Sequence, residues 1–321
     1  MVVGIPRGLL FYEYYPLWRA FFQALGIAVE TSGPTSRAVL DAGVSRAVDE
    51  ACLPVKAYLG HCLELAERCD ALFVPRVVSV ERGAYTCPKL LGLPEIVGSL
   101  RTGRPLVTPV VDYTRGGSRA VDAAIACARR LGCGSVRAAW AYVRARLEYR
   151  TFTESLQVAG GWFEGAVAGR AETGTADRAR PRVLVLGHVY MVNDRGINLG
   201  IREHLLRLGV RPVAPQWVAR RNWTSGARAL PKKLFWTYEK QLFGAAKHVV
   251  DRGECDGVIQ ITSFGCGPDS LVSEFVRREA ERSRVPYMAL TVDEHAGEAG
   301  AVTRLEAFVD MLARRLGDRE T

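Results

Sequence analysis

Short runs of β-branched and other apolar residues alternate along this chain with stretches whose apolar positions recur every three to four residues. Val2 to Ile5, Ile27 to Thr31, Ala71 to Val80 and Pro105 to Val111 read as strands. Between them, Tyr14 to Leu25, Pro54 to Arg68 and Pro88 to Leu100 read as helices. Strand and helix alternating at this spacing predict a parallel, doubly wound sheet. From Ser118 to Arg170 the pattern turns wholly helical, and the polar stretch Gly169 to Pro181 reads as a linker. A second alternation follows. Strands are expected over Arg182 to Gly187, Val210 to Val213, Gly257 to Thr262 and Pro286 to Val292, with helices over Ile197 to Leu208, Pro231 to Val250, after Pro268, and over Thr303 to Leu316. The expected fold is α/β, with two doubly wound lobes of Rossmann or flavodoxin type at 1–115 and 181–321 and a helical section with linker at 116–180.

Composition narrows the picture. Of 321 residues 48% are hydrophobic, ample for the cores of two domains. No apolar run approaches the roughly 18 residues that span a bilayer, so no membrane segment is expected. The start, Met1 to Arg7, runs straight into a strand-like segment instead of a charged, apolar and cleavable leader. A cytoplasmic protein is therefore expected, whose eight cysteines stay reduced or bind metal. The formal charge of +9 invites a nucleic-acid reading, but the basic residues are scattered and no helix-turn-helix or finger spacing occurs, so no nucleic-acid partner is expected. Only six of the 43 basic residues are lysines. An acidic protein partner or an anionic substrate suits such a surface equally well.

The chemistry concentrates at three cysteines. Cys52-Leu53-Pro54, Cys87-Pro88 and Cys266-Gly267-Pro268 each place a thiol one or two residues before a proline that can open a helix. Unpaired amides and the positive end of the helix dipole favour thiolate there. Most of the other five, Cys62, Cys69, Cys127, Cys133 and Cys255, read as buried small hydrophobes. Cys87 and Cys266 follow strand ends, where open α/β sheets bind ligands, and the site is expected between the lobes.

Three thiolates with His61, His188 or His295 could hold zinc, but structural zinc takes ligands in close pairs, and these cysteines spread from position 52 to position 266. A cluster held by three thiolates fits the soft donor set better and leaves one iron without a cysteine. Lys56 and Lys89 stand four and two residues after cysteines, where a cation opposes the helix dipole; a nearby anionic cluster or acyl-CoA phosphate would explain them, and so would simple solvation. Asp293, Glu294, His295 and Glu298 form a polar group after a strand, read either as acid–base residues, with Glu294, His295 and Glu298 as the candidates, or as a helix-capping loop. His188 and Tyr190 follow another strand end, with a hydrogen-bonded core histidine the preferred reading. Gly265, Gly267 and Gly297 permit close backbone approach to a ligand, and the run Phe235-Trp236-Tyr238 reads as core packing.

At these residues the chain resembles a known family. Ala51-Cys52-Leu53-Pro54-Val55-Lys56, Tyr85-Thr86-Cys87-Pro88-Lys89 and Phe264-Gly265-Cys266-Gly267-Pro268-Asp269-Ser270 are similar to runs of the 2-hydroxyacyl-CoA dehydratase component superfamily. The branch it resembles is that of the acyl-CoA dehydratase activase-related proteins, themselves similar to double-cubane cluster proteins. Gly4-Ile5-Pro6-Arg7-Gly8, Gly187-His188-Val189-Tyr190 with Asp194, and the stretch from Asp293 to Phe308 add to the resemblance. The resemblance implies an iron–sulfur cluster, a 4Fe-4S cubane or an 8Fe-9S double cubane, with Cys52, Cys87 and Cys266 as metal ligands and Lys56, Lys89, Gly265 and Gly267 beside it. It also implies homodimers and reduction by a separate actin-like-fold ATPase, for action on a small molecule or an acyl-CoA. No P-loop and no room for that ATPase occur here, so this chain is expected to accept the electrons. Three function classes stay open: a cluster enzyme of low-potential reduction or dehydration, a cluster-bearing electron-transfer module, and a zinc-bound or metal-free binding protein.

Overall fold

The computed structural model describes residues 1–114, 119–169, 180–230 and 232–320, the last three by backbone alone. Two compact units emerge, one of Met1–Thr153 with Leu234–Tyr238 and one of Glu154–Lys233 with Glu239–Thr321.

The first unit is built on parallel strands β1 (Val2–Ile5), β2 (Ala28–Thr31), β3 (Ala71–Phe73), β4 (Arg76–Val77), β5 (Leu106–Val107) and β6 (Val110–Val111). The sheet order is β2-β1-β3-β5, with β4 and β6 pairing separately. The single strands expected over 71–80 and 105–111 are each interrupted, because Pro75 and Pro109 have no N–H to give. The ladder nevertheless runs on, since Val74 N and Arg76 N donate to the carbonyls of Val107 and Pro109. Helix Phe11–Ala24 covers this sheet through Trp18 and Phe22, whose rings meet Phe73 at 5.1 and 5.2 Å. Helix Leu53–Ala66 is buried along most of its length and packs so tightly on helix Arg37–Val44 that a Cβ at Gly60 would lie 1.9 Å from the Val39 carbonyl. The periodicity left helix Arg37–Val44 out; Ser36, which caps it by accepting from Val39 N, was the available signal. The helix expected over 88–100 is two short ones, Pro88–Leu91 and Leu93–Gly98, divided at Gly92.

The second unit holds β7 (Arg182–Leu186), β8 (Arg211–Val213), β9 (Gly257–Ser263) and β10 (Tyr287–Val292), parallel in the order β10-β9-β7-β8. Every residue of β9 is buried, as a doubly covered parallel strand requires. The helix expected over 197–208 breaks at Leu199 and Gly200, both left-handed, into Arg195–Asn198 and Ile201–Arg207. Helix Thr237–Asp251 begins later than expected, at Thr237; Pro231 and residues 170–179 of the expected linker lie outside the described residues. Phe235 is exposed and stacks on Tyr85 at 5.3 Å, so it does not belong to the core that the aromatic run suggested, whereas Tyr238 is buried. Among the described residues no helix is long and apolar enough to cross a membrane.

In each sheet chain order reverses beside the first strand, between β1 and β3 and between β7 and β9. In open α/β sheets ligands bind beyond the carboxyl ends of the strands at such switch points. Arg7 and Gly8 follow β1, and the loop to Cys87 follows β4; His188 follows β7, and Cys266 follows β9.

Candidate functional site

Each proline-linked cysteine is the N-cap of a helix: Cys52 before Leu53–Ala66, Cys87 before Pro88–Leu91 and Cys266 before Gly267–Arg282. None uses its side chain as a cap, and all three are half-buried. The helices that Cys52 and Cys266 open have 14 and 16 residues, whereas Gly92 ends the Cys87 helix after one turn. Four others are buried, and burial pushes the thiols of Cys62 and Cys69 up and those of Cys127 and Cys255 up to about 12. Burial thus disfavours the thiolate form at all four. Cys133 is half-buried at a helix turn and lacks a following proline.

In the first unit, Thr86 N donates to the Val78 carbonyl and Thr86 Oγ1 to that of Val77, folding the 79–86 loop back so that Cys87 starts its helix beside β4. Lys89 Nζ donates to the Glu50 carbonyl at 3.0 Å, which ties the Cys87 helix to the loop that leads into Cys52. Lys56 is only 3% exposed, so solvation does not account for it. His61 is sealed: Thr35 Oγ1 lies 2.9 Å from its Nε2, and burial with the nearby Arg7 charge brings its pKa down to about 4.

In the second unit, Cys266 N donates to the Ser263 carbonyl across a turn in which Gly265 takes φ +75°, a conformation that glycine adopts without strain. A Cβ at Gly267 would meet nothing within 4 Å, so there is room beside the thiol. His188, Cys266 and Asp269 bring one ligand atom each within 4.8 Å of one another. His188 Nε2 lies 3.2 Å from Asp269 Oδ1 and 3.5 Å from Glu239 Oε1, and all three residues are buried. The His188 ring faces both carboxylates, and its contact with Asp269 is within hydrogen-bond distance. Burial opposes a charge on His188, yet Asp269, Cys266 and Glu239 together outweigh it and raise its pKa well above the usual value. Burial also raises Glu239, against the pull of His188. His188 is thus a core histidine, as preferred, but an ionic one in contact with a candidate ligand.

Glu294, His295 and Glu298 lie at one junction between β10 and the last helix, Glu298–Glu320. His295 N donates to Asp293 Oδ1 at 2.9 Å, the geometry of a capping turn. Glu298, 65% exposed, pairs with His204 Nε2 at 2.8 Å, and Arg207 donates to His204 Nδ1. Sequence reasoning missed Glu239 and Asp269 as partners of His188. Asp269 stood three residues after Cys266 and could have been found; Glu239, inside an ordinary helical pattern, carried no signal.

Two family models match the chain. The model of the CoA enzyme activase uncharacterised domain (DUF2229) matches residues 2–218, and that of the 2-hydroxyglutaryl-CoA dehydratase D-component matches residues 209–312. The chain belongs to the CoA enzyme activase domain family, and its carboxyl-terminal third is similar to the dehydratase D-component. It is a protein of the CoA-dehydratase activase and D-component type. No curated protein matches it. A solved structure named provisionally as a phosphosugar isomerase from Silicibacter pomeroyi DSS-3 aligns at 15% identity over 100% of this chain and 87% of that one, with a TM-score of 0.21 too low to carry an argument.

Proposed function

We propose that this protein carries an iron–sulfur cubane, single or double, ligated by Cys52, Cys87 and Cys266, and that a partner ATPase of actin-like fold reduces it. The reading is carried by one observation: of eight thiols, the three that precede a helix-opening proline are all half-buried N-caps, while four of the remaining five are buried and pushed away from ionisation. Three soft donors suit such a cluster, and the open space at Gly267 gives a bulky group room. When bound, the cluster supplies one-electron chemistry and an iron that no cysteine fills. The chain's own contribution is to hold the thiols. The Gly265 turn aims Cys266 outward from β9, Thr86 pins the approach to Cys87, and Lys89 fastens the two loops of the first unit to each other. Reduced thiols of this kind belong in the cytoplasm, and a homodimer acting on a small molecule or an acyl-CoA completes the proposal. Glu294, His295 and Glu298 remain the acid–base candidates within it.

Anaerobic preparation followed by iron and acid-labile sulfide analysis tests the assignment. Cys52→Ala, Cys87→Ala and Cys266→Ala should each lose most of the iron and the broad visible absorption; iron unchanged in all three defeats it. Turnover with the purified ATPase separates an enzyme from an electron-transfer module.

A second reading rests on the constellation of buried His188 and Asp269 with half-buried Cys266, which suits a single cation such as zinc. It predicts metal without sulfide, lost in Cys266→Ala and His188→Gln but kept in Cys52→Ala and Cys87→Ala.

A further inference from the structure

Helix Ser135–Val158 is apolar on two opposite faces. Through the first unit, its inner face is Ala138, Ala141 and Ala145, each 0% exposed, with Phe152 below them. Arg137 Nη2 donates to the Leu25 carbonyl at 3.0 Å, and Tyr149 stacks on Tyr14 at 5.7 Å, so this face is fully occupied by the protein's own core. On the other face stand Val136, Trp140, Val143 and Leu147, exposed by 86, 55, 59 and 65%. Their spacing of four, three and four residues is that of a coiled-coil seam. At about 100° per residue they fall within a sector of roughly 60°, nearly opposite the alanines. A solvated helix face does not place four large apolar side chains in register, one of them tryptophan.

The residues beside the seam say what kind of partner it suits. Arg144 flanks it on one side and Arg146 and Arg150 on the other, with Glu148 near Arg144; Arg137, on the Arg144 side, is committed to the Leu25 carbonyl. Arg144 lies over the Trp140 ring at 5.7 Å, so its guanidinium stays beside the apolar stripe, while Arg146 lies over the inner-face ring of Tyr149 at 5.6 Å. Two copies of this helix would set arginine against arginine on both rims, a like-charge arrangement that opposes self-pairing.

We infer that Val136, Trp140, Val143 and Leu147 form a docking seam for an amphipathic helix of a partner protein whose flanking positions are acidic. The apolar stripe supplies burial, and the arginine rims supply orientation and discrimination. This inference rests on the first unit alone and does not depend on the cluster assignment.

The test uses the full chain and two labelled synthetic helical peptides with leucine at the seam positions, one with glutamate and one with lysine at the flanks. Fluorescence polarisation should show the glutamate peptide binding at least tenfold tighter, with affinity that falls as salt is raised. The double variant Trp140→Ser, Val143→Ser, which alters only exposed side chains, should lose at least tenfold in that affinity with an unchanged circular dichroism spectrum. Equal binding of the two peptides, or unchanged binding by the variant, overturns the inference. Dimers in light scattering that the double variant abolishes would assign the seam to a second copy and overturn it. So would binding to anionic phosphatidylserine vesicles with no preference between peptides.

Discussion

His61 in the first unit and His188 in the second are both sealed from water near the carboxyl ends of parallel sheets, yet one is neutral and the other a cation. Burial alone would make both neutral. His61 obeys, because its neighbours are the Thr35 hydroxyl and the Arg7 cation. His188 does not, because Asp269 and Glu239 stand within 3.5 Å and outweigh the desolvation. Partners, and not depth, decide what a buried imidazole does. The first unit therefore holds a neutral imidazole beside a cation, and the second an ionic knot that touches a candidate metal ligand.

The largest effect expected comes from breaking that knot. His188→Gln leaves two buried carboxylates without a cation and should cost about 3–5 kcal/mol, whereas Asp269→Asn keeps one ion pair and should cost less than half as much. Urea unfolding of the metal-free variants measures both; equal losses would show that the carboxylates do not act through His188. The next effect belongs to His61. Its folded pKa lies below the ordinary value of 6.5, so the unfolded chain takes up the proton first, and stability falls as pH drops from about 6.5 toward 4. The full shift corresponds to on the order of 3 kcal/mol. His61→Leu should remove that slope, and a difference curve between wild type and variant that stays flat over this window would break the comparison. The smallest effect sharpens it on the backbone. Gly60→Ala forces a Cβ against the Val39 carbonyl and should cost about 1–3 kcal/mol, while Gly267→Ala, which meets nothing within 4 Å, should leave the midpoint of unfolding unchanged.

Much of the fold could be read in advance. The long periodic segments became helices and the β-rich runs parallel strands, several of them divided in two, because a buried parallel sheet demands continuous apolar runs and its crossovers demand amphipathic helices. Three of the misreadings share a cause. Pro75, Pro109 and Gly92 interrupt elements whose apolar pattern continues through them, and backbone hydrogen bonding, not hydrophobicity, decides where an element stops. At the site, Cys52, Cys87 and Cys266 stood out because proline marks a helix start locally. The partners of His188 did not, since Glu239 lies 51 positions away in sequence and Asp269 lies 81.

What the sequence determined by itself is therefore whatever a few neighbouring residues can encode: the period of each element, the prolines that turn three cysteines into helix caps, and the class of protein those runs resemble. Only the tertiary structure decided the charge of the buried histidines, the openness beside Gly267 and the exposure of Val136, Trp140, Val143 and Leu147. Solvation and charge depend on what packs against a group from distant parts of the chain, and a local pattern does not record that.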